Sequence, residues 1–251
     1  MSSRGDIVYN ILEGESQYDT LKAEVQQAYS NITFVNNFYL ICDKIKNSTS
    51  DIVNYVECGV FNGGTLIPVT LFSETIDKTV NITGVDSFKG FPPTYTTDHN
   101  DSFRAFTEQK DSGLITVDNY NKAVERCNKS TETFTSAEYF GQVERDIQEF
   151  SSKNRHVNLL VGYFADVLPQ YTESIDVLHL DCDLYESYLD CLNNLYDNIV
   201  PGGVIIFDEY YSHKYPGART AVDSFFENKN DGQFQRYLSP HDYQRWCWVK
   251  D

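Results

Sequence analysis

Four short apolar runs, each with a carboxylate at or just past its end, constrain this chain more than any other feature. They are Val53 to Glu57, Asn81 to Val85 before Asp86, Asp176 to Leu180 before Asp181, and Val204 to Phe207 before Asp208. Runs this short, bounded by glycine or turn residues and rich in β-branched side chains, predict buried strands. Asn158 to Val161 adds one more. Between them, 63–75, a segment opening near Ser187 and 218–227 have helical length, and Asp190 is the expected capping-box partner of Ser187. Pro201-Gly202-Gly203 reads as a turn, and 234–238 with 244–249 as a closing strand pair. Strands that alternate with helices predict an α/β fold: a mostly parallel, seven-stranded sheet with helices on both faces.

The strand pattern starts only after residue 50. Before it, Leu21, Val25, Ala28, Ile32, Val35, Phe38, Ile41 and Ile45 recur at helical spacing, so 1–50 is expected as an N-terminal helical segment and 51–251 as the main domain. The stretch 87–157 is too long for a simple crossover. It is expected as an inserted cap, with a polar loop from Pro92 to Asp101 and helices near 119–128 and 137–150. Tyr95, Phe103 and Phe106 within it are candidates to cover an amphipathic ring; an ordinary surface loop is the alternative.

The formal net charge of −17 argues against nucleic-acid binding, which rests on Lys and Arg neutralising phosphates, and against an anionic membrane surface. Six cysteines include no C-x-x-C pair, so packed thiols are expected rather than a zinc site. No leader-like segment or membrane-length apolar run is present, and the expected compartment is the cytoplasm.

In open parallel sheets, ligands bind outside the carboxyl ends of the strands. Four acids on one such rim therefore suggest a site. Glu57-Cys-Gly59-Val60-Phe61-Asn-Gly63-Gly64 is a glycine turn at a helix entry, but not the G-x-G-x-x-G of a dinucleotide loop. An acid two residues before Gly59 suits a ligand with an ammonium group. Asp86 after the second strand suits ribose hydroxyls, or it caps the turn that follows. Asp181-Cys-Asp183 and Asp208-Glu209 group oxygen ligands suited to a hard cation such as Mg²⁺ or Mn²⁺. His179 reads as a strand residue with no metal role.

Five motifs in order carry a family resemblance. They are Glu57-Cys-Gly59-Val-Phe-x-Gly63-Gly64, Asp86-Ser87-Phe-x-Gly90-Phe-Pro92, Gly162-Tyr163-Phe164-x-Asp166-x-Leu-Pro169, Asp181-x-Asp183-x-Tyr185-Glu-Ser187, and Pro201-Gly-Gly203 through to Asp208. From about residue 34 to 229 the chain resembles the macrocin O-methyltransferase (TylF/MycF) family, which methylates sugar hydroxyls on antibiotics. The resemblance implies a Rossmann-like class I methyltransferase fold, S-adenosylmethionine as donor and a Mg²⁺ ion. By motif position it implies Asp181, Asp208 and Glu209 as metal ligands, and Asp181 as general base with Asp183 as the rival. Glu57, Gly59, Val60, Phe61, Gly63, Asp86, Ser87, Tyr163, Phe164 and Asp166 fall on the cofactor side. The final acid pair departs from the family's Asp-Asp, because Glu209 is longer by one methylene. The expected activity is transfer of a methyl group to a hydroxyl of a small molecule, with a sugar or glycoside as acceptor and a homodimer as the assembly. A catechol acceptor, an NAD(P) oxidoreductase and a non-catalytic cofactor-binding protein are the alternatives.

Overall fold

The computed structural model describes residues 37–92, 107, 110–113, 116–121, 137–153, 156–210, 215–238 and 244–251. Tyr95, Phe103, Phe106 and most of the expected cap, like the helical pattern before residue 37, lie outside these residues.

Seven strands form one sheet: β1 (Ile52–Cys58), β2 (Thr79–Asp86), β3 (Val157–Val161), β4 (Ile175–Leu180), β5 (Ile199–Phe207), β6 (Gly232–Leu238) and β7 (Gln244–Lys250). Their order is β3-β2-β1-β4-β5-β7-β6. The first five pair in parallel, and the β6–β7 hairpin adds the antiparallel edge. Strand order reverses between β1 and β4, which opens the crevice where open sheets take ligands.

The helices that accompany these strands include α1 (Phe38–Asn47), α2 (Leu66–Ser73), α3 (Ala137–Lys153), the single-turn α4 (Phe164–Val167), α5 (Tyr185–Leu195) and α6 (Pro216–Phe226). Side chains alternate across each strand, and two buried clusters show the result. On one face Tyr55, Val177, Val204 and Ile206 pack with Phe38, Ile41, Leu66, Val69 and Ile147 of α1, α2 and α3. On the other, Val56, Leu178, Leu180, Ile205 and Phe207 pack with Tyr188, Leu192, Ala221 and Phe226 of α5 and α6. The hairpin is pinned to the second face by aromatic contact, with Phe226 and Trp248 ring centroids 4.4 Å apart. None of the described helices is long and apolar enough to cross a membrane. The five described cysteines are buried and free.

Two local expectations change. Pro201 to Gly203 lies inside β5 rather than before it. The pairing of β4 with β5 slips there: Ile175 faces Ile199 but Val177 faces Val204, and Gly202 has a positive φ of 79°. The extra residues are taken up in a bulge, so turn chemistry sits within a strand. Likewise α5 begins at Tyr185, with Leu184 at its cap position and no side-chain cap bond. Ser187 is therefore within the helix and cannot cap it.

The β1–β4 junction depends on one missing carbon. Gly59 has φ of 98°, and a Cβ there would lie 1.7 Å from the Asp181 carbonyl oxygen. Gly202 also has positive φ, at 79°, but a Cβ there would meet nothing within 4 Å. Comparing the two separates backbone strain from collision. Gly202→Ala is expected to cost about 1 kcal/mol, and Gly59→Ala more than about 3 kcal/mol, both read by urea unfolding. Equal losses would show that the junction tolerates a side chain.

Candidate active site

A cavity of about 280 Å³ opens at the carboxyl ends of β1, β2 and β4. Its wall includes Glu57, Gly59, Val60, Phe61, Asp86, Ser87, Tyr163, Phe164, Asp181 and Asp183. Those ten expected site residues are thus brought together. Gly63 and Asp166 are not in the wall. Gly63 makes room for the side chains of Ile67 and Ile147, which a Cβ would approach within 2.8 Å and 2.5 Å. Asp166 is exposed on the short helix α4.

Glu57 is 1% exposed. The Tyr55 hydroxyl donates to its Oε2 at 2.7 Å, and the backbone of Leu66, the first residue of α2, also hydrogen-bonds it. Burial pushes its carboxyl up to about 8, against the lowering effect of the Tyr55 bond. The site thus holds a buried acid whose charge lacks a counterion. A ligand cation would supply one.

Asp86 caps the turn after β2, one of the two roles foreseen for it. Its Oδ2 accepts from Phe61 N and its Oδ1 from Phe88 N, both at 2.8 Å. The first bond ties the β1–α2 loop to the end of β2, and the second closes the turn after β2. The backbones of Val60 and Ser87 hydrogen-bond Asp86 as well. Burial raises the Asp86 carboxyl despite these bonds. Phe61 and Phe88, at φ of 47° and 49°, hold left-handed backbone on either side of it.

Asp183 also has left-handed backbone, at φ of 62°. Strain of this kind at a non-glycine residue in a cavity wall is a mark of functional sites. Asp183 is not the cap of α5, since Leu184 takes that position.

The metal expectation changes in composition. Ligand atoms of His179, Asp181 and Asp208 lie within 4.8 Å of one another, a group able to hold a cation. Glu209 is not among them. It is 4% exposed, and its Oε2 accepts from the Tyr188 hydroxyl of α5 at 2.7 Å. Asp208 and Glu209 are adjacent at a strand end and follow its alternation to opposite faces. Asp208 meets Asn37, whose Nδ2 donates to its Oδ1 at 2.6 Å, while Glu209 meets α5. Burial and then the nearby Asp208 raise the carboxyls of Asp181 and Glu209 well above the ordinary range.

Sequence reading missed His179, Asn37, Tyr55 and Tyr188 as parts of the site. A signal existed for His179: it stands two residues before Asp181 on one strand, hence on the same face. Asn37 and Tyr188 come from helices packed across the sheet, and no local pattern marks them. Phe91, Pro92, Phe140, Ser187 and Tyr215 also line the cavity.

Residues 135–235 match the family model of macrocin O-methyltransferase (TylF). Over that stretch the chain is similar to the TylF family. The matched segment holds Asp181, Asp183, Asp208 and Glu209, while Glu57 and Asp86 precede it. The chain is 26% identical over 193 residues to demethyldecarbamoylnovobiocin O-methyltransferase of Streptomyces niveus, covering 73% of this chain and 64% of that one. It is 28% identical over 174 residues to mycinamicin III 3''-O-methyltransferase of Micromonospora griseorubida, covering 68% and 59%. It therefore spans less than two thirds of the length of these curated relatives. Among solved structures, the O-methyltransferase NovP is similar with a TM-score of 0.58 at 25% identity, covering 86% of this chain and 79% of that one. The calicheamicin methyltransferase CalS11, at 15% identity, has a TM-score of 0.59 and covers 98% and 90%. The fold is that of class I methyltransferases.

The buried acids set a pH dependence. For Glu57 the folded value of about 8 exceeds the ordinary value of 4.5 of an exposed carboxyl. The folded state therefore holds the proton more tightly. Its contribution is complete below about pH 4.5 and is lost as pH rises through about 8. The raised carboxyls of Asp86, Asp181 and Glu209 act in the same direction. The ligand-free protein should melt at lower temperature at about pH 8 than at about pH 5, and Glu57→Gln should flatten that fall. A slope unchanged in Glu57→Gln would show that Glu57 is ionised in the fold.

Proposed function

We propose that this protein is an S-adenosylmethionine-dependent O-methyltransferase that methylates a hydroxyl of a small molecule, a sugar or glycoside, with help from a divalent cation. The observation that carries the reading is the position of Asp181. It stands in the cavity wall beside Glu57, Asp86, Tyr163 and Phe164, and it also belongs to the candidate cation group with His179 and Asp208. A donor pocket and a hydroxyl-activating group therefore meet at one side chain. The relatives named above are O-methyltransferases by name, and two of those names carry an antibiotic or its precursor.

S-adenosylmethionine would supply a methyl group on a positive sulfonium, together with an ammonium for Glu57 and ribose hydroxyls for Asp86. A bound divalent cation would lower the pKa of a coordinated hydroxyl and make it a better nucleophile. Glu57, neutral when the cavity is empty of cations, becomes the ammonium's partner by giving up its proton. Asp86 ties the β1–α2 loop to the end of β2 at the cavity wall, where its carboxylate would meet the ribose hydroxyls of the cofactor. Tyr163 and Phe164 offer an apolar surface suited to the adenine. Asp181 or Asp183 takes the acceptor's proton; both face the cavity, and only Asp181 is shared with the cation group. Positioning and electrostatic stabilisation supply most of the rate.

The organisation expected from sequence belongs to the same proposal: one methyltransferase domain over 51–251, a cap over about 87–157, a homodimer and a cytoplasmic enzyme. The net charge of −17 supports a small-molecule acceptor over nucleic acid.

Calorimetry should show binding of S-adenosylhomocysteine and none of NAD(P). Glu57→Ala should weaken it by about tenfold or more, the cost of a lost charged partner. Binding of NAD(P) instead would overturn the methyltransferase reading. Turnover should vanish in chelator and return with added dication. Asp208→Asn should lose turnover far more than cofactor affinity; an equal loss of both would make Asp208 a scaffold residue. A panel of sugars, nucleotide sugars, glycosides and catechols decides the acceptor. Methylation of phenols alone would reject the saccharide and leave the cation chemistry standing.

A further inference from the structure

We propose that His179 is a ligand of the cation, and that one imidazole with two carboxylates makes this site select a first-row transition dication, such as Mn²⁺, Fe²⁺, Co²⁺ or Zn²⁺, over Mg²⁺. The proposal rests on the cation role assigned above, but it concerns which donors hold the ion.

The backbone brings the three donors to one place. His179 and Asp181 are two apart on β4 and share a face. β5 runs beside it with His179 opposite Ile206 and Leu180 opposite Phe207, so Asp208 falls opposite Asp181. Asp208 N donates to the Leu180 carbonyl at 2.9 Å, which holds that register one residue beyond the strands. His179 Nε2 is 3.9 Å from Asp208 Oδ1. Ligands about 2.1 Å from a common ion are about 3 to 4 Å apart. The group's 4.8 Å limit therefore needs only small side-chain movement to close on one.

The ring itself lacks a good partner. His179 is 1% exposed. Its Nε2 has Asn37 Nδ2 at 3.5 Å, at the outer limit of a hydrogen bond, and its Nδ1 has no partner. Buried polar groups are normally hydrogen-bonded, and leaving one unmade is costly. A core histidine kept only for packing would be expected to bond through at least one nitrogen. This one lies against two carboxylates instead. Asn37 acts as an outer brace: its Nδ2 holds Asp208 at 2.6 Å and so orients that carboxylate.

The remaining acid is otherwise engaged. Glu209 is on the opposite face, bonded to Tyr188, whose hydroxyl is also 2.9 Å from the Leu180 carbonyl. The donor set is thus one nitrogen and two carboxylates. Imidazole favours later first-row dications, whereas carboxylate and water alone suit Mg²⁺.

The test is pulsed electron paramagnetic resonance on metal-stripped, full-length protein reloaded with Mn²⁺, which reads nitrogen hyperfine coupling at the ion. Coupling is expected in the wild type and should be lost in His179→Gln. By calorimetry, Mn²⁺ should bind about tenfold or more tighter than Mg²⁺, and His179→Gln should remove most of that difference. Mn²⁺ bound without nitrogen coupling would overturn the proposal, as would failure to bind Mn²⁺. The wild-type spectrum decides even if the buried substitution prevents folding. No methyl transfer is involved, so the two readings fail separately. S-adenosylhomocysteine binding with a nitrogen-free ion rejects His179 alone; nitrogen coupling without cofactor binding rejects the methyltransferase instead.

Discussion

One row of backbone hydrogen bonds fixes the level at which this protein's acids emerge from the sheet. Gly59 N bonds the Val85 carbonyl, Asp181 N the Cys58 carbonyl, Asp208 N the Leu180 carbonyl and Gly162 N the Asp86 carbonyl, each at 2.9 Å. All four donors are past or at the very ends of their strands, so the parallel ladder continues one step into the loops. That step carries β3 through β5 to a common rim. It works only because Gly59 has no side chain where the Asp181 carbonyl passes. The cavity, the carboxylates and the candidate cation group all hang from this rim.

The strands were legible in the sequence because each is a compact apolar run, and the rim was legible because acids mark the ends. What failed was local. The Pro201-Gly202-Gly203 turn signal is real, but its flexibility is spent on a bulge inside β5. Ser187 looked like a cap because of Asp190, yet the helix extends back to Tyr185 and Ser187 turns into the cavity wall. Gly63 was assigned to the cofactor, whereas its missing Cβ accommodates α2 and α3. In each case the residue type was read correctly, and a tertiary contact decided its use.

The candidate cation donors show why a motif alone could not give the site. Consecutive acids look equivalent on paper. At a strand end they point to different faces, each with its own neighbours: Asn37 and His179 for Asp208, Tyr188 for Glu209. The same alternation adds His179 to Asp181. Periodicity of two, applied past the end of β4 and β5, reorders the candidate donors more than the extra methylene of Glu209 does.

The electrostatics tie the two halves of the cavity together. Glu57 is buried and Asp86 and Asp181 are half-buried, and desolvation is the first cause of the raised carboxyl in each. Neutral, they cost little; ionised without partners, they would repel one another, and Asp208 already acts on both Asp181 and Glu57. Such a cluster gains most from ligands that carry positive charge, because each cation lets a carboxyl ionise next to it. An ammonium and sulfonium on one side and a dication on the other meet that need. Asp181 is common to both sides, and Asp208, in the cation group, also raises Glu57. Filling the cation group therefore changes the field at the cofactor's end of the cavity. A positive dication there opposes a second cation directly but removes the like-charge penalty on Glu57. Which of these wins depends on distance, and Glu57 is paired with His179 of the group across β1 and β4.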